Sequence, residues 1–173
     1  VHNVEKFQVD GCFGYDEKEA EIPKGIFDPN PLRWSPFQDP DFKIRNFLNG
    51  THCLASSGKP ANKNGISIYI YLFAQSMQNS YIYNSDGDFL IVPQEGILNI
   101  RTELGKMKIS PGEICVLPRG ITFSVHVDDK DILNRGYVLE VYKGHFILPE
   151  LGPIGSNGLA NARDFKFPIA WYE

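Results

Sequence analysis

Pro111-Gly112-Glu113-Ile114-Cys115-Val116-Leu117-Pro118-Arg119-Gly120-Ile121-Thr122-Phe123-Ser124-Val125 reads as two short apolar runs, 114–117 and 122–127, parted by a proline and a glycine. Runs of this length, rich in Ile, Val, Phe and Tyr and broken by turn residues, are how β-strands of a sandwich or barrel are written. The texture extends outward from here. Residues 66–73, Ile-Ser-Ile-Tyr-Ile-Tyr-Leu-Phe, read as a strand covered on both faces. Further strands are expected at 80–83, 89–92, 97–102, 106–109 and 136–142. Gly105 and the Asp86-Gly87 pair place two hairpins. The sum is an all-β fold, a jelly-roll sandwich or barrel with scarcely any helix.

The opening stretch also resembles the second motif of a cupin, the position of a metal-binding histidine being held by Phe123. The first cupin motif would carry its HxH pair near Asn84 to Gly96, where Asn84 and Asp86 stand instead. Phe123, Asn84 and Asp86 are therefore read as vestigial, structural positions of a degenerate cupin-like domain spanning residues 42–147. An iron centre of the two-histidine, one-carboxylate kind needs converging imidazoles. The four histidines are His2, His52, His126 and His145, and no two are spaced to share a strand face. His126 lies three residues from Phe123, so strand parity points the two side chains to opposite faces. His52 and Cys53 are adjacent and point apart, which disfavours a thiolate–imidazole pair. Asp86 and Asp88 would suit a carboxylate pair or a cation sensor, but Asn-Ser-Asp-Gly-Asp is also the composition of a solvated turn, the expected reading.

With 173 residues, 42% hydrophobic and 22% charged, one core is expected. The net charge is −4 and the 17 basic residues are scattered, which disfavours a nucleic-acid surface. Cys12, Cys53 and Cys115 are too few and too far apart for a disulfide framework, so a reducing, cytoplasmic setting is expected. Asn49-Gly50-Thr51 is a chance-level sequon. No apolar run has the roughly 18 residues needed to span a bilayer. Residues 1–41, with five prolines and many acids, read as an extended arm lying on a neighbour and anchored by Trp34. Residues 148–173 read as a loop and docking segment. Gly152, Gly155 and Gly158 match no phosphate-loop spacing, and Ser156 has no nucleophile elbow. The start at Val1 and the apolar finish at Trp171-Tyr172-Glu173 are expected of a piece of something longer.

Longer runs carry a more specific likeness. Leu32-Arg33-Trp34-Ser35-Pro36-Phe37, Tyr83-Asn84-Ser85-Asp86-Gly87-Asp88-Phe89-Leu90-Ile91-Val92-Pro93-Gln94, Gly105-Lys106-Met107, Glu113-Ile114-Cys115-Val116, Leu151-Gly152-Pro153-Ile154-Gly155 and Asn157-Gly158-Leu159-Ala160-Asn161-Ala162-Arg163-Asp164-Phe165 closely resemble the homogentisate 1,2-dioxygenase family. So does Pro168-Ile169-Ala170-Trp171-Tyr172-Glu173, and the likeness covers about 32–173. The resemblance implies an Fe(II)-dependent enzyme that opens the ring of homogentisate with O2 to maleylacetoacetate in tyrosine and phenylalanine breakdown. It implies a homo-oligomer, a trimer or a hexamer of two trimers. It also implies that the iron ligands belong to a C-terminal domain beyond this sequence, so that no catalytic or metal residue carries over and this segment binds no iron. Phe165, Phe167, Ile169 and Trp171 are then expected to dock on that domain. The alternative expectation is a freestanding metal-free cupin acting as a ligand-binding or assembly module.

Overall fold

The computed structural model describes residues 37–147 and 162–171. Trp34, His2, Cys12 and the loop glycines with Ser156 lie outside them. Among the described residues, nine antiparallel strands form two sheets. They are β1 (Thr51–Lys59), β2 (Asn64–Phe73), β3 (Ile82–Tyr83), β4 (Asp88–Glu95), β5 (Leu98–Thr102), β6 (Gly105–Ile109), β7 (Cys115–Leu117), β8 (Thr122–His126) and β9 (Asn134–Val141). One sheet has the order β1-β2-β9-β4-β7 and the other β3-β8-β5-β6, so the chain changes sheets repeatedly and closes a jelly-roll sandwich.

Alternation builds the core. Tyr69, Tyr71 and Phe73 of β2, Phe89 and Ile91 of β4 and Val138 of β9 face Leu98 and Ile100 of β5 and Phe123 and Val125 of β8, all in one buried cluster. Each such side chain, fully withdrawn from water, contributes about 1.5–3 kcal/mol. The aromatic members interlock: Phe123 meets Phe47 and Phe89 edge-on at 6.3 Å between ring centroids.

Three expectations change against this frame. Strand β1 was not foreseen, because Thr-His-Cys-Leu-Ala-Ser-Ser-Gly-Lys is polar. It forms by pairing along nearly the whole of β2, with a bulge between Cys53 and Ala55. The run 66–73 is covered on both faces only in its second half. Phe37, Phe42, Leu54 and Leu133 cap Ile70 and Leu72, whereas Ile66 and Ile68 stay 40% and 37% exposed. Gly105 does close the β5–β6 hairpin, but Asp86-Gly87 makes no hairpin. Strand β3 pairs with β8, and β4 with β9 and β7, so the turn is a corner carrying the chain from one sheet to the other.

Of the segment at 162–171, part is held by this same domain. Ile169 exchanges both backbone hydrogen bonds with Lys106 at 2.9 Å, adding a short strand to the β6 edge. The Trp171 ring lies under the Lys106 ammonium at 3.8 Å and the Arg101 guanidinium at 5.3 Å. Lys166 pairs with Glu113, whose carboxyl is held below its usual range first of all by that hydrogen bond. Trp171 thus has partners within this domain, while Phe167 and Ile169 of the same segment are 72% and 74% exposed.

Gly105 serves both contacts. Its φ is +139°, and an added Cβ would sit 2.4 Å from the Ile169 carbonyl oxygen. Gly105→Ala is expected to leave the sandwich folded but release this segment. Limited proteolysis should then cleave within 162–171 several-fold faster than in the parent.

Candidate functional site

Residues after β9 leave the sandwich past a buried carboxylate. Asp88, first residue of β4, is 1% exposed. Its Oδ1 accepts from the Arg119 backbone N–H at 2.9 Å and from Arg119 Nε at 3.2 Å. Its Oδ2 accepts from the Phe146 N–H at 3.1 Å and lies 3.0 Å from His145 Nδ1. The guanidinium of Arg119 reaches on to the carbonyls of Tyr142, at 3.2 Å, and Gly144. One carboxylate and one guanidinium therefore fasten three pieces of backbone: the start of β4, the β7–β8 turn and residues 142–146. Burial alone pushes the Asp88 carboxyl up, but the donors from Arg119 N, Phe146 N, His145 and the Arg119 side chain together outweigh it and hold it below the usual range.

A second polar group lies inside the sandwich at the same end. Glu140, 3% exposed on β9, accepts from the Tyr69 hydroxyl and from the Asn84 amide, each at 2.7 Å. Ser67 Oγ and the Tyr142 hydroxyl share a hydrogen bond at 2.6 Å. Burial, and then the Glu140 charge, push the Tyr69 phenol far above its ordinary value. Asn84 also donates to the Gly87 carbonyl at 2.9 Å and accepts from the Asp86 N–H at 3.0 Å through Oδ1. An Asx turn forms at this corner, with Asn84 as its acceptor. Asp86 is exposed, as a solvated turn requires, but Asp88 is buried and ion-paired with Arg119, so the turn is solvated only in part and the two aspartates do not act as a carboxylate pair.

Neither Phe123 nor Asn84 presents a free donor to a metal. Phe123 offers no donor and is 1% exposed between two other phenylalanines. Both amide donors and the carbonyl of Asn84 are spent on protein partners. Among the described residues, no three His, Cys, Asp or Glu side chains gather as a metal would require. His126 falls on the face opposite Phe123, 3.0 Å from Ser124 Oγ. His52 packs on Phe37 and lies 3.3 Å from Asp39, while Cys53 turns to the Ala55 carbonyl, so the two make no catalytic pair. Thr51 of the sequon is fully buried and donates to the Phe47 carbonyl.

Sequence reading missed Asp88, Arg119 and His145 as a unit. They are 31 and 26 residues apart in turn, and no local spacing joins them. The one available signal was an arginine in the middle of an otherwise apolar motif. Cys115, in the core, has its thiol pushed up to about 12 by burial. It is expected to resist alkylation at pH 8 in the native chain and to react only after unfolding, as peptide mass mapping would read.

Comparison with known proteins bears on what this arrangement belongs to. The family model described as homogentisate 1,2-dioxygenase N-terminal matches residues 12–173. Curated relatives named homogentisate 1,2-dioxygenase include those of Drosophila melanogaster, 56% identical over 147 residues, and Homo sapiens, 55% over 148 residues. Each alignment covers 84% of this chain and 33% of the relative. That of Rhizobium etli (strain CIAT 652) is 45% identical over 142 residues, covering 82% of this chain and 31% of its own length. The chain thus spans about a third of the length of the curated relatives it matches. Among solved structures, a cupin superfamily protein from Desulfitobacterium hafniense aligns at a TM-score of 0.43 with 16% identity, over 54% of this chain and 76% of that one. By a family match over nearly its whole length, the chain belongs to the homogentisate 1,2-dioxygenase family, in that family's N-terminal region.

Proposed function

We propose that this chain is a structural and assembly-supporting part of a homogentisate 1,2-dioxygenase. The complete protein opens the ring of homogentisate with O2 to give maleylacetoacetate, an iron-dependent step of tyrosine and phenylalanine breakdown in the cytoplasm, and works as a trimer or hexamer. The reaction belongs to residues outside this sequence. The observation that carries the division of labour is the filling of the sandwich: the metal-motif positions hold a buried phenylalanine and an asparagine with every hydrogen-bonding group engaged. In place of a reacting centre, this end of the fold has a carboxylate–guanidinium latch that fixes where residues 142–146 leave the sandwich.

The test uses the complete polypeptide containing this chain. The parent should consume homogentisate and O2 and carry iron. Phe123→Leu should keep KM and iron content while losing about 1 kcal/mol of stability, as volume-near core swaps do. A several-fold rise in KM, or loss of iron at unchanged assembly, would place substrate or metal in this sandwich and overturn the proposal. Absence of any homogentisate-dependent O2 uptake in the parent would overturn the assigned reaction.

A further inference from the structure

The β6 edge that holds residues 166–171 is built by the sandwich and not by the segment lying on it. Arg101 and Lys106 stand opposite each other in the β5–β6 register, so their side chains share one face. The turn between them is fixed from within: Thr102 Oγ1 donates to the Gly105 carbonyl at 3.0 Å and accepts from the Leu104 N–H at 3.1 Å. Glu113 is set in the same way. Its Oε2 accepts from the Ser110 N–H at 2.8 Å, and its own N–H donates to the Ser110 carbonyl at 3.0 Å. No residue of 162–171 takes part in these contacts. Three features thus stand ready on one edge: the outward N–H and C=O of Lys106, two cations beside them, and an oriented carboxylate.

We propose that this edge is a peptide-binding site for an extended segment carrying a lysine, a residue with a backbone N–H three positions on and an aromatic ring two positions further, and that residues 166–171 are its ligand bound in cis. Each contact of the segment answers one of the three features. Ile169 is read through its backbone alone, exchanging both hydrogen bonds with Lys106 at 2.9 Å while its side chain is 74% exposed. This is strand addition to a sheet edge. The Trp171 ring is held by the Lys106 ammonium at 3.8 Å and the Arg101 guanidinium at 5.3 Å. Lys166 meets the Glu113 carboxylate. Pro168 and Ala170 flank Ile169, so their backbone groups face away from β6, and the proline has no N–H there to recruit another strand. The ligand therefore fills the edge and also ends it.

Covalent attachment explains why the site is occupied by its own chain. A tethered segment has an effective concentration on the order of millimolar at its site, so a free peptide of equal intrinsic affinity competes poorly until the cis segment is disabled. The proposal is independent of the reaction assigned above, since it concerns only what this edge recognises.

The probe is a fluorescently labelled synthetic peptide with the sequence of residues 162–171, titrated into the complete polypeptide and followed by anisotropy. Ile169→Pro/Trp171→Ala removes the paired N–H and the ring from the cis segment and leaves the receiving edge intact. This variant should bind the peptide saturably and at least tenfold more tightly than the parent. A peptide with alanine in place of Trp171 should bind it several-fold more weakly. Adding Gly105→Ala, whose Cβ would meet the backbone of any occupant where it now meets Ile169, should abolish binding. No saturable binding to the emptied variant would overturn the proposal. Equal binding to parent and variant, or binding untouched by Gly105→Ala, would place the peptide elsewhere and overturn it likewise. Should the emptied variant lose the parent's circular dichroism, the parent itself serves. Unlabelled peptide at roughly ten millimolar, above the effective concentration of the tethered segment, should then speed limited proteolysis within 162–171 several-fold, and unchanged cleavage would overturn the proposal.

Discussion

Gly136→Ala is expected to be the most damaging single methyl addition in this sandwich. Gly136 lies mid-way along β9, paired to Tyr71 of β2 on one side and Pro93 of β4 on the other. A Cβ there would sit 2.3 Å from the Val92 carbonyl oxygen and 2.3 Å from the Tyr71 hydroxyl. Val92 O is backbone of a neighbouring central strand and Tyr71 is fully buried, so neither can move aside cheaply. Overpacking a core usually costs about 1–3 kcal/mol and more where backbone must shift, so a loss of at least about 3 kcal/mol is expected. That is a large share of the roughly 5–15 kcal/mol available to a domain. Urea unfolding followed by tyrosine fluorescence or circular dichroism would read it as a midpoint shift or as failure to fold. Tyr71→Phe separates the two contacts. The Tyr71 hydroxyl is buried with no partner among the described residues, and burial pushes its phenol up. Alone, Tyr71→Phe should be neutral or stabilise by about 1 kcal/mol. Combined with Gly136→Ala it should recover only part of the loss, because the Val92 contact remains. Full recovery would show that the hydroxyl was the sole obstacle.

Asp88→Asn is expected to have the second largest effect and to act on a different property. An amide in this position turns an N–H toward groups that are themselves donors: the Arg119 and Phe146 backbone N–H groups and the Arg119 side chain. Arg119 is left partly buried without its counter-charge. Breaking one member of a buried pair costs about 3 kcal/mol or more. The Asp88 carboxyl is held below its ordinary value in the folded chain. A depressed carboxyl contributes stability that is fully present above the unfolded value of about 3.9 and is lost as pH falls through the lower, folded value. The stability gap between parent and variant should therefore be widest near neutral pH and shrink below about pH 4. A gap independent of pH down to acid unfolding would mean that the carboxylate charge is not what the latch uses. Asp88→Asn/Arg119→Gln should regain part of the loss, since it removes the stranded guanidinium. The single variant should also loosen residues 142–146, seen as faster amide exchange there than in β5 or β8.

Strand positions were largely legible in the residues, because period-two alternation and turn residues are local properties. The runs around Phe89, Ile100, Cys115, Phe123 and Val138 all became strands with those side chains inward. The parity argument that turned His126 away from Phe123 rested on the same period and agrees with the structure. Strand β1 was invisible for the complementary reason: its polar sequence has no pattern of its own, and it is a strand because β2 offers an edge. Phe123 by itself excluded imidazole ligation at the second motif, since the side chain has no donor whatever surrounds it. What Asn84, Asp86 and Asp88 do was not readable from five consecutive residues. One binds a glutamate 56 residues away, one stands in solvent, and one anchors an arginine and the chain after β9. The sequence by itself determined the all-β character, the inward faces and the family, because these follow from residue type and order. Only the tertiary structure decided that the Asp86-Gly87 turn switches sheets, that Asp88 and Arg119 form a latch, and that the Trp171 ring lies under Lys106 and Arg101. Those outcomes depend on which distant strands become neighbours, and pairing between strands is a property of the whole fold rather than of any stretch within it.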